Sequence, residues 1–282
     1  MQEQGTQIKH AAIPLILYGT AWKEDTTEAL VFEALQLGYR GIDTANQRKH
    51  YFEEAVGRSI QKFLSAVHLP RSELFLQTKF TSLSSQDERL PYDESAALSE
   101  QVQQSFASSL GHFQTHYMDS FILHGPSLNQ GINEADIEIW RTMEHLAHSE
   151  KVRYLGVSNV NLQQLEILCQ QASIKPTFVQ NRCFAVNGWD WEMRQFCNKH
   201  SITYQGFSLL TANAPYIVNP LIKAIAAKYK RTIPQIIFRF AVALGMLPLT
   251  GTTKSQHMQE DLKLHDFELN LDEIKVIETI AI

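Results

Sequence analysis

Apolar runs alternate with amphipathic segments from one end of this 282-residue chain to the other. Read by periodicity, strands fall at 13–18, 40–43, 74–79, 120–124, 154–158, 177–180, 203–207 and 247–250. Helices fall between them at 26–37, 52–66, 98–110, 134–149, 161–171, 190–200, 216–229 and 233–244, and a short amphipathic helix at 272–282 packs against the outside. The punctuation agrees. Asp25 and Glu28 have capping-box spacing, Gly38 stands where a helix ends left-handed, Asn161 is a helix cap, and Pro234 sits in a first helical turn. Eight strands and eight helices with no linker rich in Pro, Gly or Ser predict an α/β fold, a single (β/α)8 TIM barrel over residues 1–282. A doubly wound nucleotide-binding sheet would carry G-x-G-x-x-G after its first strand, whereas here that strand runs into Tyr18-Gly19-Thr20-Ala21-Trp22.

Three of the predicted strands end on ionisable residues: Asp43, Lys79 and His124. Strands buried in a parallel sheet are near-continuous apolar runs, so such endings need a reason. In a parallel barrel the C-terminal strand ends are where reacting groups converge. Taken singly, Asp43 reads as a helix cap, and Lys79 and His124 as solvated loop residues. Taken together they read as a site.

Composition narrows the partners. A net charge of −5 gives no electrostatic footprint for nucleic acid or an anionic membrane, and no apolar stretch is long enough for a membrane span. The start, Met1-Gln2-Glu3-Gln4-Gly5, lacks the pattern of a signal peptide, which predicts a cytoplasmic protein. Cys169, Cys183 and Cys197 are odd in number and far apart, as expected of free thiols in a reducing compartment. His112 and His116 are four apart but carry no metalloprotease carboxylate, so no metal is expected. Without heptads or a long apolar edge, a monomer or weak homodimer is expected.

An aspartate, a lysine, a histidine and a nearby tyrosine have a joint chemistry without a metal. An ammonium about 4 Å from a phenol is worth up to about 4 kcal/mol at an effective dielectric near 20, enough to lower its pKa by a few units. A carboxylate keeps the ammonium charged, and the histidine orients a substrate oxygen by hydrogen bonding. Such a set suits a tyrosine that protonates a carbonyl as hydride arrives.

The segments GYRGIDTA, LQTK, DSFILHGP and YLGVSN, in this order and at these intervals, resemble the aldo-keto reductase superfamily along essentially the whole chain. The resemblance implies a (β/α)8 barrel that binds NADPH, or NADH, without a Rossmann domain and reduces a small-molecule carbonyl substrate. Asp43, Lys79 and His124 match its catalytic carboxylate, lysine and histidine. Its tyrosine usually stands five residues after the aspartate, where this chain has Arg48. The intervening loop is longer than usual, and Tyr51 is the nearest phenol, while His50 aligns when counted back from Val56-Gly57.

For the cofactor, the resemblance implies Ser158, Asn159 and Gln180 at the nicotinamide carboxamide and Phe207 stacked on its ring. Ser208 and Leu210 match positions whose backbone meets the pyrophosphate. Gly19, Thr20 and Trp22 match the loop facing cofactor and substrate, so that Trp22, Tyr51 and His124 border the substrate. The adenosine end departs from the pattern, with Thr252, Thr253 and Lys254 in place of the usual run and His257 in place of an arginine. Asp261, with Glu260, matches the pair that meets the adenine. The displaced tyrosine leaves an alternative, a cofactor-binding regulatory or structural relative with little turnover. A metal-dependent barrel hydrolase is a third possibility, and the Lys79 ammonium between Asp43 and His124 argues against it. Residues 82–97 and 211–215 are the loops expected to shape the pocket.

Overall fold

Each strand of the computed structural model, which describes residues 11–282, pairs in parallel with the next, and the eighth returns to the first. The polar start at residues 1–5 lies outside the described residues. The strands are β1 (Leu17–Gly19), β2 (Gly41–Asp43), β3 (Phe75–Phe80), β4 (Met118–Leu123), β5 (Val152–Ser158), β6 (Phe178–Arg182), β7 (Thr203–Phe207) and β8 (Leu247–Thr250). The helices are α1 (Thr27–Leu37), α2 (Glu53–Val67), α3 (Leu98–Phe113), α4 (Glu134–His148), α5 (Leu162–Gln171), α6 (Trp191–Lys199), α7 (Ala214–Ile217), α8 (Pro220–Tyr229), α9 (Ile233–Ala243), α10 (Ser255–Asp261) and α11 (Leu271–Glu278). The barrel expected from the alternating pattern is the fold.

Side chains one strand period apart share a face, and this builds the barrel interior in layers. Phe75 of β3 and Phe178 of β6 meet edge to face with centroids 6.0 Å apart, in an apolar plug with Leu17, Ile122, Leu247 and Leu249. Two residues further along the same strands stand Gln77 and Gln180. Two further still, Lys79 reaches the rim. A larger apolar core, including Val31, Ile60, Phe106, Trp140 and Phe240, fills the space between the outer faces of the strands and the helices.

Several local expectations change in the structure. β1 begins at Leu17 rather than at residue 13, because Pro14 has no N–H for a ladder and Ile13 and Leu15 point to solvent. The helix expected at 216–229 is two helices. Asn219 accepts a hydrogen bond from Leu221 N at 2.9 Å and Pro220 opens α8, so the chain restarts its helix there. Asp25 and Glu28 form no capping box. A 3-10 turn at Glu24–Thr26 leads into α1, and Glu28 pairs with Arg58 instead. Gly38 (φ 118°) ends α1, Asn161 caps α5 and Pro234 lies in the first turn of α9, as expected. The closing helix α11 is capped by Asn270 and held by Trp189 Nε1, which donates to Ile277 O at 2.9 Å.

Helices α2 and α3 touch backbone to side where Gly57 faces the end of α3. A Cβ on Gly57 would lie 1.9 Å from the carbonyl oxygen of His112, whereas one on Gly111 would meet nothing within 4 Å. Gly57→Ala is therefore expected to destabilise the fold by about 3 kcal/mol through overpacking, and Gly111→Ala to be neutral or stabilising by roughly 0.5–1 kcal/mol. Denaturant midpoints of the two variants check this, and a Gly57→Ala protein as stable as the parent would contradict the packing described.

Candidate active site

The register β2–β3–β4 brings the first two ionisable strand ends together. Lys79, fully buried, donates from Nζ to both Asp43 carboxylate oxygens at 2.8 Å and to Thr44 O at 2.8 Å. An ammonium has three donors, and all three are taken. Burial pulls the Lys79 pKa below its ordinary value, while Asp43 and then Glu53 act against that fall. Asp43 Oδ1 accepts two further bonds, from Gln77 Nε2 at 2.7 Å and Gln180 Nε2 at 2.9 Å. Both glutamines also donate to Gln205 Oε1, and Gln205 returns a bond to Gln77 at 3.0 Å. A closed amide layer thus lies between the apolar plug and the ion pair.

Tyr51 stands at the rim just before α2, its amide bonded to Gln47 O at 3.0 Å. The Lys79 ammonium lies over its ring, 5.2 Å from the centroid, and the His124 ring meets it edge-on at 5.8 Å. The expected lowering of the phenol pKa is reversed: burial, and then the Asp43 charge, push it up. The physical reason is that Lys79 is neutralised by Asp43 and has no donor left for the phenol, so loss of solvent decides. Tyr51 is consequently protonated across the physiological range.

His124 Nδ1 lies 2.6 Å from Thr81 Oγ1. Burial, with Lys79 and His50 nearby, pushes the imidazole down to about 3, so it is neutral at physiological pH. His50, the rival of Tyr51, is stacked on Trp22 with centroids 3.9 Å apart, and its carbonyl accepts from Trp22 N at 2.7 Å. Trp22 itself is exposed. These groups border a cleft of about 560 Å³ at the C-terminal ends of the strands, walled by the loops after β1 to β5. Among the described residues, no cluster of three or more His, Cys, Asp or Glu is placed to hold a metal ion.

The aldo/keto reductase family model matches residues 16–282. The chain belongs to this family. It is 29% identical to the glyoxal reductase of Bacillus subtilis, over 91% of this chain and 83% of that enzyme. With the NADPH-dependent alpha-keto amide reductase of Saccharomyces cerevisiae it shares 27% identity, over 97% of this chain and 88% of the other. An aldo/keto reductase structure from Brucella melitensis superposes with a TM-score of 0.80 at 27% identity, covering 95% of this chain and 94% of that one.

The residues expected to hold the cofactor lie along the far side of the same mouth. Ser158 Oγ donates to Gln180 O at 2.7 Å, and Asn159 Nδ2 donates to His124 O at 2.8 Å. With both Gln180 N–H groups committed to Asp43 and Gln205, the oxygens Gln180 Oε1 and Asn159 Oδ1 are the acceptors left for an amide N–H, which fits a carboxamide. Phe207 is half-buried at the end of β7, with the Arg182 guanidinium 5.7 Å over its ring. Leu210 is half-buried against the core, and Gly19 ends β1 in register with Asp43 of β2, with Thr20 Oγ1 bonded to Asp43 O at 3.0 Å. Trp22 (φ 62°), Asn159 (φ 52°) and Ser208 (φ 56°) all have left-handed backbone, and such strain gathers at functional sites. Thr252, Thr253, Lys254 and His257, expected to meet the adenosine end, form an accessible loop and helix start, with Thr252 Oγ1 3.4 Å from His257 Nδ1.

Several site residues escaped the sequence reading. Lys23 is buried, donates to Gly251 O at 2.8 Å and is pushed down to about 8 by burial. Glu53, two residues after Tyr51, is buried and accepts from Thr78 Oγ1, from Ser109 Oγ and from the His112 ring at 2.8 Å. The only sequence signal for either was an ionisable residue beside a recognised one.

Asp261 faces inward, 2% exposed, accepting from Thr250 Oγ1 at 2.7 Å, and burial raises its carboxyl to about 7. A folded pKa above the unfolded one means the native state binds the extra proton. Its stabilising contribution is full below pH 4 and is lost as pH rises to about 7, with a slope approaching 1.4 kcal/mol per pH unit. Asp261→Asn should remove this slope and gain stability over the parent above pH 7. Urea unfolding at a series of pH values measures it, and identical slopes for parent and variant would contradict the burial of this carboxyl.

Proposed function

We propose that this protein reduces small aldehydes or ketones to alcohols with NADPH, with Tyr51 as the proton donor. The observation that carries the reading is a protonated Tyr51 and a neutral His124 bordering one cleft, with the buried Asp43–Lys79 pair set against the Tyr51 ring. The relatives named for glyoxal and alpha-keto amide reduction, the second of them NADPH-dependent, support the same chemistry. Ser158, Asn159, Gln180 and Phe207 hold the nicotinamide end, and Ser208 and Leu210 follow the phosphates. Lys254 and His257, with Thr252 and Thr253, face the 2′-phosphate. His257 is a weaker partner than a fixed guanidinium, so a modest preference for NADPH over NADH follows. When bound, the reduced nicotinamide supplies the hydride.

The protein's own part is to orient the carbonyl and deliver a proton. With Thr81 Oγ1 as the donor to the neutral ring's Nδ1, 2.6 Å away, His124 carries its proton on Nε2 and offers it to the carbonyl oxygen. Tyr51 gives its hydroxyl proton to that oxygen as charge develops there. Lys79 lies over the ring and stabilises the phenolate that remains, while Asp43 and the three glutamines hold Lys79 in place. One observation favours the alternative of a cofactor-binding protein with little turnover: Lys79 has no free donor for the phenol.

Lys79→Met tests the reading. Following loss of reduced-nicotinamide absorbance with glyoxal, the variant is expected to lose at least about 100-fold in kcat, with the NADPH dissociation constant nearly unchanged. A variant retaining more than about a tenth of parental kcat would refute the assignment. A parent protein that binds NADPH yet reduces no aldehyde would decide for the alternative.

A further inference from the structure

Strand β6 runs on past Gln180 to Arg182, whose register partner on β7 is Phe207. The partners two residues earlier, Gln180 and Gln205, point into the barrel, where they build the amide layer beneath Asp43. Paired residues of a parallel ladder share a face, and that face recurs every second residue, so Arg182 and Phe207 stand one layer higher, at the mouth. The Arg182 guanidinium carbon lies 5.7 Å from the Phe207 ring centroid. Arg182 is exposed, and among the described residues no carboxylate forms an ion pair with it. It does not border the substrate cleft either. Lys79, by contrast, is neutralised by Asp43. Arg182 is thus an uncompensated positive charge held against one ring on the cofactor side of the mouth.

We propose that Arg182 makes the site prefer the reduced over the oxidised cofactor, and so clears it of the oxidised form after turnover. The inference rests on the carbonyl-reductase reading, in which Phe207 carries the nicotinamide. NADPH and NADP+ share their phosphates, riboses and adenine and differ in one ring, which is neutral when reduced and a cation when oxidised. The face of Phe207 alone would favour the cation, because an aromatic quadrupole attracts positive charge. Arg182 already takes up that attraction and adds a repulsion of its own. At 5.7 Å it lies inside the roughly 8 Å over which a charge is felt in physiological salt. The neighbouring groups do not cancel it, since Asp43 is paired with Lys79 and His124 is neutral. A reduced ring offers no charge for the guanidinium to act on, so its binding is spared. The same repulsion opposes the positive charge that grows as hydride leaves, and so acts against transfer and in favour of release.

The test measures dissociation constants of NADPH and NADP+ by titration calorimetry for the parent, Arg182→Gln and Arg182→Lys. Each is measured at roughly 10 mM and roughly 1 M salt, where a charge is felt over about 30 Å and about 3 Å. The readout is the NADP+ constant divided by the NADPH constant, in which contacts to the shared parts of the two forms cancel. The Arg182 side chain makes no hydrogen bond among the described residues, so neither variant strips the fold of one. In Arg182→Gln the ratio should fall about threefold or more at low salt, with the fall vanishing at high salt, while Arg182→Lys keeps the charge and stays near the parent. A ratio unchanged in Arg182→Gln at low salt, a fall of equal size at high salt, or an Arg182→Lys ratio that falls as far would overturn the inference while leaving carbonyl reduction standing. A parent that binds neither form, or Phe207→Ala with both constants unchanged, would remove the nicotinamide site of the underlying reading and the inference with it.

Discussion

A buried ion pair, Asp43 with Lys79, governs the arrangement of everything at the rim of this barrel. An isolated charge at that depth would cost several kcal/mol, and breaking one side of such a pair costs about 3–5 kcal/mol. The pair is tolerable because every group around it is satisfied. Asp43 takes two bonds from the ammonium and one each from Gln77 and Gln180, and Gln205 closes the amide layer beneath. An apolar residue at position 77 or 205 would fill the barrel as well, but would strip the carboxylate's supports or leave a glutamine unpaired. The polar middle layer is therefore a consequence of placing a charge pair above an apolar plug.

The same pairing sets the protonation states around the cleft. Seen from Tyr51, burial dominates, the Asp43 charge acts in the same direction, and the phenol keeps its proton. Seen from His124, burial and the residual positive charge act together and the ring stays neutral. Two uncharged donors thus face one cleft, an arrangement suited to an oxygen that gains charge during reaction rather than to a pre-formed anion. Glu53 reinforces it from the other side. Bonded to Thr78, the neighbour of Lys79, and to His112 and Ser109 on α3, it ties the start of α2 to the end of β3 and holds Tyr51 near Lys79.

Much of this was legible in the chain, and the exceptions have physical reasons. The alternation of strand and helix patterns carried the barrel, and apolar runs that end on Asp43, Lys79 and His124 marked the rim. Gln77 and Gln205 were not legible, because a glutamine inside a strand looks like a flaw in the apolar pattern until its three partners are seen together. The helix break at Asn219-Pro220 has an ordinary cap-and-proline signature, overridden in the reading by the apolar period on either side. Asp25 and Glu28 had the right spacing for a cap, but the 3-10 turn before α1 and the Arg58 partner drew them elsewhere. The phenol's pKa was misjudged because the sequence shows that a lysine is near, and not that its three donors are already committed.

Placement of Tyr51, rather than His50, beside the Lys79 ammonium is the central claim. Single-turnover reduction of glyoxal by the NADPH-loaded protein tests it most directly, comparing Tyr51→Phe with His50→Ala. The geometry predicts a loss of at least about 100-fold for Tyr51→Phe, while His50→Ala, which loses a ring stacked on Trp22, keeps more than about a tenth of the parental rate. The reverse order, with His50→Ala the more damaging, would contradict the account.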